Sequence, residues 1–136
     1  MGLLSNLFGN RRQKMILDDL NKCSEKERVL TILNAFDSEV MNGGLCQFFV
    51  NDSRYLAPFV SEALLAVGAT EVNEKFVSFV EENKIDLNDL SSFDSRTLEQ
   101  FSAQYTRYPF DDFDNFYYKV PKESAVIELV EKYMGK

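Results

Sequence analysis

Polar side chains that could bind a small ligand flank a glycine pair in residues 39–51, which read EVMNGGLCQFFVN. Glu39 and Asn42 are three positions apart. Gln47 and Asn51 are four positions apart, so the members of each pair can share one face of a helix. A carboxylate and three amides at one corner could form a polar pocket. The same groups could instead satisfy backbone groups left unpaired where two helices meet, and we favour this structural interpretation.

Glu39 lies near the predicted end of a helix, where the negative end of the helix dipole is unfavourable for a carboxylate. We therefore expect a nearby donor to compensate its charge. One candidate is the side-chain amide of Gln47. Backbone N–H groups exposed at Gly43 and Gly44 are the other candidate.

Histidine is absent from the sequence, and this absence removes several kinds of chemistry. Without it the chain lacks the commonest general base, histidine-based triads and most zinc and iron sites. No phosphate-binding loop, dinucleotide-binding fingerprint or nucleophile elbow occurs. Cys23 and Cys46 have no CxxC spacing and no evident activating neighbour, which is typical of reduced thiols in a cytoplasmic protein. The sequence predicts a protein that is not an enzyme and has no cofactor.

A short acidic run, Asp111-Asp112-Phe113-Asp114, is a second candidate site. Hard cations need several oxygen ligands on a defined loop, and the glycine and closing glutamate of a calcium loop are missing here. Because the run follows Pro109, we expect its aspartates to cap a helix and to favour the positive end of its dipole. The sequence predicts no metal site.

Helical spacing of apolar residues dominates the chain. Ser24 precedes Glu27 by three positions, as in a capping box, and an apolar stripe follows from Val29 to Val40. Gly43 and Gly44 are expected to end this helix. The sequence predicts an all-α single compact domain of about six to seven helices, several of them short. The predicted helical segments are residues 12–22, 25–41, 45–50, 56–67, a helix capped by Thr70, 98–108 and a last helix opened by Pro121. Residues 110–117 are predicted as a short turn or helix. Residues 116–120 are the best strand candidate.

The domain organisation predicted is one helical domain of residues 12–136 after an amphipathic, basic segment of residues 1–11. The apolar residues of this N-terminal segment, Leu3 to Phe8, are too few for a signal peptide or a membrane span. We therefore expect no stable membrane association. This segment could touch a membrane surface or a partner groove. A frayed or mobile terminus, or a helix docked on its own core, is the interpretation we favour.

Negative charge is concentrated in the second half of the 136-residue chain, which has a net charge of -7. The first 68 residues carry 8 acidic and 7 basic side chains, and the second 68 carry 14 and 8. Such a surface repels nucleic-acid phosphates and attracts basic surfaces, so we expect a basic protein partner and no direct nucleic-acid binding. The candidate partner-binding acids are Glu71, Glu74, Glu81, Glu82, Asp86, Asp89, Asp94, Asp111, Asp112 and Asp114.

The glycine-pair segment also carries a family resemblance. Its pattern, Glu39-x-x-Asn42-Gly43-Gly44-x-x-Gln47-Phe48-Phe49-x-Asn51, resembles the signature of the DNA mimic protein nineteen family of small helical bacterial domains. Weaker matches follow downstream, such as Ala57-Pro58 and Val67-Gly68-Ala69. The resemblance implies an all-helical fold and allows a homodimer. The family's named member is an acidic protein whose surface carboxylates imitate DNA phosphates and occupy a DNA-binding partner. In this chain the motif residues look like determinants of the fold, separate from a mimic surface.

Three hypotheses for function remain open from the sequence. The first is an acidic protein-interaction module that binds a basic DNA-binding protein. The second is an immunity- or antitoxin-like inhibitor of a nuclease. The third is a small-ligand pocket at the corner of Glu39 and Gln47, beside Phe48 and Phe49.

Overall fold

The computed structural model describes the backbone of residues 3–135 and the side chains of residues 11–135. Over this range the chain is one compact all-α domain of seven α-helices without a strand, as the sequence predicted. The helices are α1 (Leu3–Asn21), α2 (Glu25–Val50), α3 (Val60–Ala66), α4 (Thr70–Glu82), α5 (Leu98–Gln104), α6 (Phe110–Lys119) and α7 (Val126–Tyr133). Short 3₁₀ helices cover Asp52–Phe59, Ser91–Phe93 and Lys122–Ser124.

Helix α2 begins at the predicted capping box and is broken at the predicted glycines. The Glu27 N–H donates to Ser24 Oγ at 3.2 Å, and the Ser24 N–H donates to the Glu27 carboxylate at 3.3 Å. Gly43 and Gly44 leave the helical conformation, the latter with φ 84° and ψ 176°. We call this pair the kink. It divides α2 into a long first segment and a short second segment that begins at Leu45.

The core is built around Phe36, which lies on the first segment of α2 and is fully buried. Its ring centroid lies 5.2 Å from that of Phe48, beyond the kink, and 5.6 Å from that of Phe76 on α4. Two rings on α6, Phe113 and Tyr117, lie at 6.3 and 5.9 Å. Edge-to-face aromatic packing adds to the burial of apolar area, so this cluster fixes α4 and α6 against both segments of α2.

Helix α1 is longer than the predicted helix of residues 12–22, because it extends back to Leu3 without a break at residue 11. Arg12 pairs with Asp52 of the first 3₁₀ helix at 3.6 Å on the exposed surface. The leucine and phenylalanine side chains of the predicted amphipathic segment lie outside the described residues. None of the helices within residues 3–135 is both long and apolar enough to cross a membrane.

Several predicted helix boundaries differ from the structure. Thr70 is the first residue of α4, but its side chain does not cap the helix, and Ala69 occupies the capping position. Helix α5 ends at Gln104, and its first residue, Leu98, is 82% exposed. The strand candidate at residues 116–120 lies mostly in α6, where Phe113 and Tyr117 pack at helical spacing in the core and Tyr118 is exposed.

Candidate functional site

Residues 39–51, which we call the Glu39 corner, are linked by hydrogen bonds from side-chain amides to the Glu39 carboxylate. The Glu39 Oε2 atom accepts hydrogen bonds from Gln47 Nε2 at 3.0 Å and from Asn51 Nδ2 at 2.6 Å. Gln47 lies on the second segment of α2 and Asn51 is its C-cap, and both compensate the carboxylate at the end of the first segment. The prediction that the Gln47 amide compensates Glu39 is confirmed. Asn42 is exposed on the surface beside this corner.

The kink needs glycine at both positions for steric reasons. A Cβ atom on Gly43 would collide with the Gln47 side-chain amide, and one on Gly44 would collide with the Asp114 carboxylate. Gly44 also has a φ of 84°, in a region that only glycine adopts without strain. The glycines therefore allow Gln47 and Asp114 to approach the backbone closely.

Asp114 fixes the start of the second segment of α2. Its Oδ1 atom accepts the N–H of Leu45 at 2.9 Å, and the side chain is buried. A carboxylate in this position satisfies an N–H that lacks a helical partner and faces the positive end of the segment. Burial raises the pKa of Asp114, while the hydrogen bond from Leu45 opposes this shift. Asp114 was predicted as a surface acid of α6, and this placement is wrong because the residue turns inward against the kink.

Tyrosine hydroxyls satisfy the carbonyl groups that the kink leaves free. Tyr118 donates to the Val40 carbonyl at 2.8 Å, and Tyr105 donates to the Gly43 carbonyl at 2.7 Å. The sequence predicts this role for the amides of residues 42, 47 and 51, but Gln47 and Asn51 donate to Glu39 instead. No local sequence pattern indicates the tyrosines, because they lie more than sixty positions from the carbonyls they contact.

Buried groups near the kink have little chemical reactivity. Burial, and next the negative charge of Asp114, raises the pKa of the Cys46 thiol to about 12. A thiol with such a pKa is not a nucleophile at neutral pH. The Tyr117 hydroxyl donates to Asp37 at 2.6 Å, and burial followed by this hydrogen bond raises the pKa of Tyr117. These buried groups therefore contribute hydrogen bonds and packing around the kink.

A cleft of about 550 Å³ lies between α4 and α6, away from the Glu39 corner. We call it the acidic cleft. Four of the predicted partner-binding acids line it, and they are Glu71, Glu74, Glu82 and Asp112. Three phenylalanines also border it, of which Phe79 and Phe113 are buried in the core and Phe116 is half-buried. Lys75 also lines the cleft, and its ammonium nitrogen lies 5.6 Å from the centroid of the Phe116 ring.

The four carboxylates of the cleft are exposed and, among the described residues, take part in no hydrogen bond or ion pair. Three of them share one face of α4, because positions 71, 74 and 82 follow helical spacing. Asp112 faces them from the first turn of α6. Within its lining, the cleft therefore presents four carboxylates against the single ammonium of Lys75.

The remaining predicted acids do not line the cleft. Glu81 and Asp111 are exposed beside it, on α4 and α6. Asp86 and Asp89 lie in the connection after α4, where each accepts a backbone N–H two residues later. Asp94 is half-buried and pairs with Arg54, so it belongs to the internal packing.

The acidic run of α6 contributes to two different structures. Asp111 and Asp112 lie in the first turn, as predicted, but neither caps the helix with its side chain, since Pro109 occupies the capping position. Asp114 caps the second segment of α2 instead. Among the described residues, no group of three or more histidine, cysteine, aspartate or glutamate side chains is placed to hold a metal ion.

These features define the class of the protein: a small all-α domain in which a glycine kink is clamped by an aspartate and two tyrosines, and in which an acidic cleft lies between α4 and α6. The family model described as DMP19-like protein matches residues 21–136, and the chain belongs to this family of DNA mimic protein 19-like proteins. The resemblance carried by the glycine motif is thereby confirmed. Comparison with curated proteins and with solved structures gave no match.

Proposed function

We propose that this protein is a cytoplasmic, non-enzymatic interaction module that binds a basic DNA-binding protein through the acidic cleft. The convergence of four unpaired carboxylates in one cleft is the observation that carries the proposal. Membership of the DMP19-like family supports a role as a DNA mimic. The Glu39 corner is a weaker candidate, because the Glu39 carboxylate accepts two internal hydrogen bonds and the cleft lies elsewhere.

The density of charge around the cleft suits the imitation of a DNA backbone. The eleven helical steps from Glu71 to Glu82 rise by about 16 Å, a length over which one DNA strand carries about five phosphates. Helix α4 carries four exposed carboxylates over this length, and the first turn of α6 adds two more. A basic surface that binds one strand would therefore meet a similar number of charges here.

The proposal is tested by capturing partners from host cells at low and at high salt. We expect a basic protein to be enriched at low salt and to be lost at high salt, because exposed charge pairs are screened. The variant E71Q/E74Q/E82Q/D112N should lose this partner. The matched variant D18N/D19N/E62Q/E131Q removes four exposed acids elsewhere and should keep it.

A second step tests whether the protein replaces DNA. The captured partner is bound to a labelled DNA duplex, and the wild-type protein should release the duplex while the cleft variant should not. The proposal is rejected if the amount of captured partner does not change with salt concentration. It is also rejected if the cleft variant and the matched variant capture equal amounts. A captured partner that degrades nucleic acid, and is inhibited by this protein, would instead identify an immunity- or antitoxin-like inhibitor.

A further inference from the structure

Residues 94–106, which we call the flap, leave the core and return to nearly the same place. Phe93 before the flap and Tyr108 after it have ring centroids 6.0 Å apart. The guanidinium carbon of Arg107 lies 5.0 Å from both ring centroids, and its Nη1 atom donates to the Ser92 carbonyl at 2.8 Å. Loops of about 6–16 residues whose ends lie close together often form compact functional units. The flap is therefore a closed excursion with a narrow base.

The flap contributes little to the hydrophobic core. It contains α5, where the buried side chain is the polar Gln104 and Leu98 is 82% exposed. Phe93 and Phe110, on either side of the flap, are both buried. Because burial of apolar area is the main stabilising contribution to a fold, a segment with little of it has low local stability. The core therefore depends little on the flap.

The flap is held together by contacts of its own. Gln104 donates to the Ser92 carbonyl at 3.1 Å and accepts from Arg107 at 2.6 Å, both at the base. The ring of Phe101 packs on that of Tyr105, with centroids 5.4 Å apart. Since these contacts lie within the flap or at its base, they can persist when the flap moves as a unit.

Tyr105 ties the flap to the kink. Its hydroxyl donates to the Gly43 carbonyl at 2.7 Å, and its half-buried ring packs against the core. At the base of the flap, Asp94 pairs with Arg54, and this ion pair can be kept while the flap moves. The Tyr105 hydrogen bond joins the flap to a different helix, so it must break before the flap can leave the kink.

We propose that the flap opens as a unit about its base at Phe93 and Tyr108, while the rest of the domain stays folded, and that the Tyr105 hydroxyl is the latch that holds it closed. Opening frees the Gly43 carbonyl, so the flap and the kink are coupled. No flap residue lines the acidic cleft, so this proposal can fail while the proposed function stands, and the reverse also holds.

Amide hydrogen exchange of the full-length protein, followed by NMR spectroscopy, tests the motion. We expect the α5 amides to exchange faster than those of the first segment of α2 and to share one opening equilibrium. Low concentrations of urea should accelerate exchange more in α2 than in α5, because global unfolding exposes more surface than opening of the flap. Protection that is graded along α5 would indicate fraying and overturn the proposal. An equal dependence on urea in both helices would overturn it as well.

Two tyrosine variants test the latch. Y105F removes the hydroxyl that donates to the Gly43 carbonyl, and Y118F removes the matched hydroxyl that donates to the Val40 carbonyl from α6. We expect Y105F to raise the exchange rate of the α5 amides, relative to α2, by about fivefold, the effect of one hydrogen bond. Y118F should leave this ratio unchanged. An unchanged ratio in Y105F, or an equal increase in both variants, would show that Tyr105 is not the latch.

Discussion

Gly44 is the residue on which the kink depends most, because two separate constraints meet there. Its φ of 84° excludes most side chains, and a Cβ atom would enter the space of the Asp114 carboxylate. Gly68 offers a comparison within the same chain. Its φ of 81° is nearly the same, but a Cβ atom there would meet no heavy atom within 4 Å.

We expect Gly44→Ala to lower the free energy of unfolding by about 3 kcal/mol or more, as backbone strain and overpacking combine. Gly68→Ala should cost only about 1 kcal/mol, from backbone strain alone. Urea unfolding followed by circular dichroism measures both. Equal losses in the two variants would show that the contact with Asp114 adds nothing to the requirement for glycine.

At the scale of elements, Asp114 connects α6 to the second segment of α2 through the N–H of Leu45. Burial raises the pKa of this carboxyl above its ordinary value of 3.8, the hydrogen bond lowers it by less, and the charge of Asp111 raises it further. The folded protein therefore holds the proton of Asp114 more tightly than the unfolded chain does. The contribution of Asp114 to the free energy of unfolding is therefore full at acidic pH, where the carboxyl is protonated in both states. This contribution is lost as the pH rises through the pKa of the folded protein.

We expect Asp114→Asn to remove this dependence while it keeps an oxygen that can accept the Leu45 N–H. The free energy of unfolding of the variant, relative to wild type, should rise as the pH increases from the ordinary carboxyl pKa of 3.8 toward neutrality. Urea unfolding at several pH values gives this difference, and Glu131→Gln, an exposed acid on α7, serves as the charge control. A difference that stays constant with pH would contradict the assignment of a raised pKa.

Local features of the elements could be predicted from the sequence, and distant contacts could not. The capping box at Ser24 and the break at the glycine pair depend on residues within a few positions of each other, so their spacing was informative. Asp114 contacts Leu45 across 69 positions, and no local pattern distinguishes it from its exposed neighbours Asp111 and Asp112. The acidic cleft could likewise not be predicted from the sequence, because it forms only where α4 and α6 pack together.

At the scale of the whole molecule, the acidic residues divide into two groups. Some are held by internal donors, such as Glu39 by two amides, Asp37 by Tyr117 and Asp94 by Arg54. Others are exposed without such partners, and the acids of the cleft belong to this group. The net charge of -7 is therefore a poor measure of local electrostatic repulsion. Repulsion is weaker among the acids that have internal donors and stronger among the exposed carboxylates of the cleft. Unpaired like charges that do not stabilise the fold are typical of a surface kept for binding.

This division predicts that the cleft lowers the stability of the free protein. Glu82 is the last residue of α4, where a carboxylate faces the negative end of the helix dipole. Glu74 lies three positions after Glu71 on the same face of α4, so two like charges are neighbours there. We expect E74Q/E82Q to raise the free energy of unfolding by roughly 0.5 kcal/mol at low ionic strength. The gain should shrink as added salt shortens the screening length.

The matched variant E62Q/E131Q changes the net charge by the same amount and should gain less, because its two acids are not clustered in the cleft. Urea unfolding of both variants at low and high salt makes the comparison. A loss of stability in E74Q/E82Q would mean that these carboxylates support the fold. An equal gain in both variants would mean that only the total charge matters, and the cleft would then not be a specialised surface.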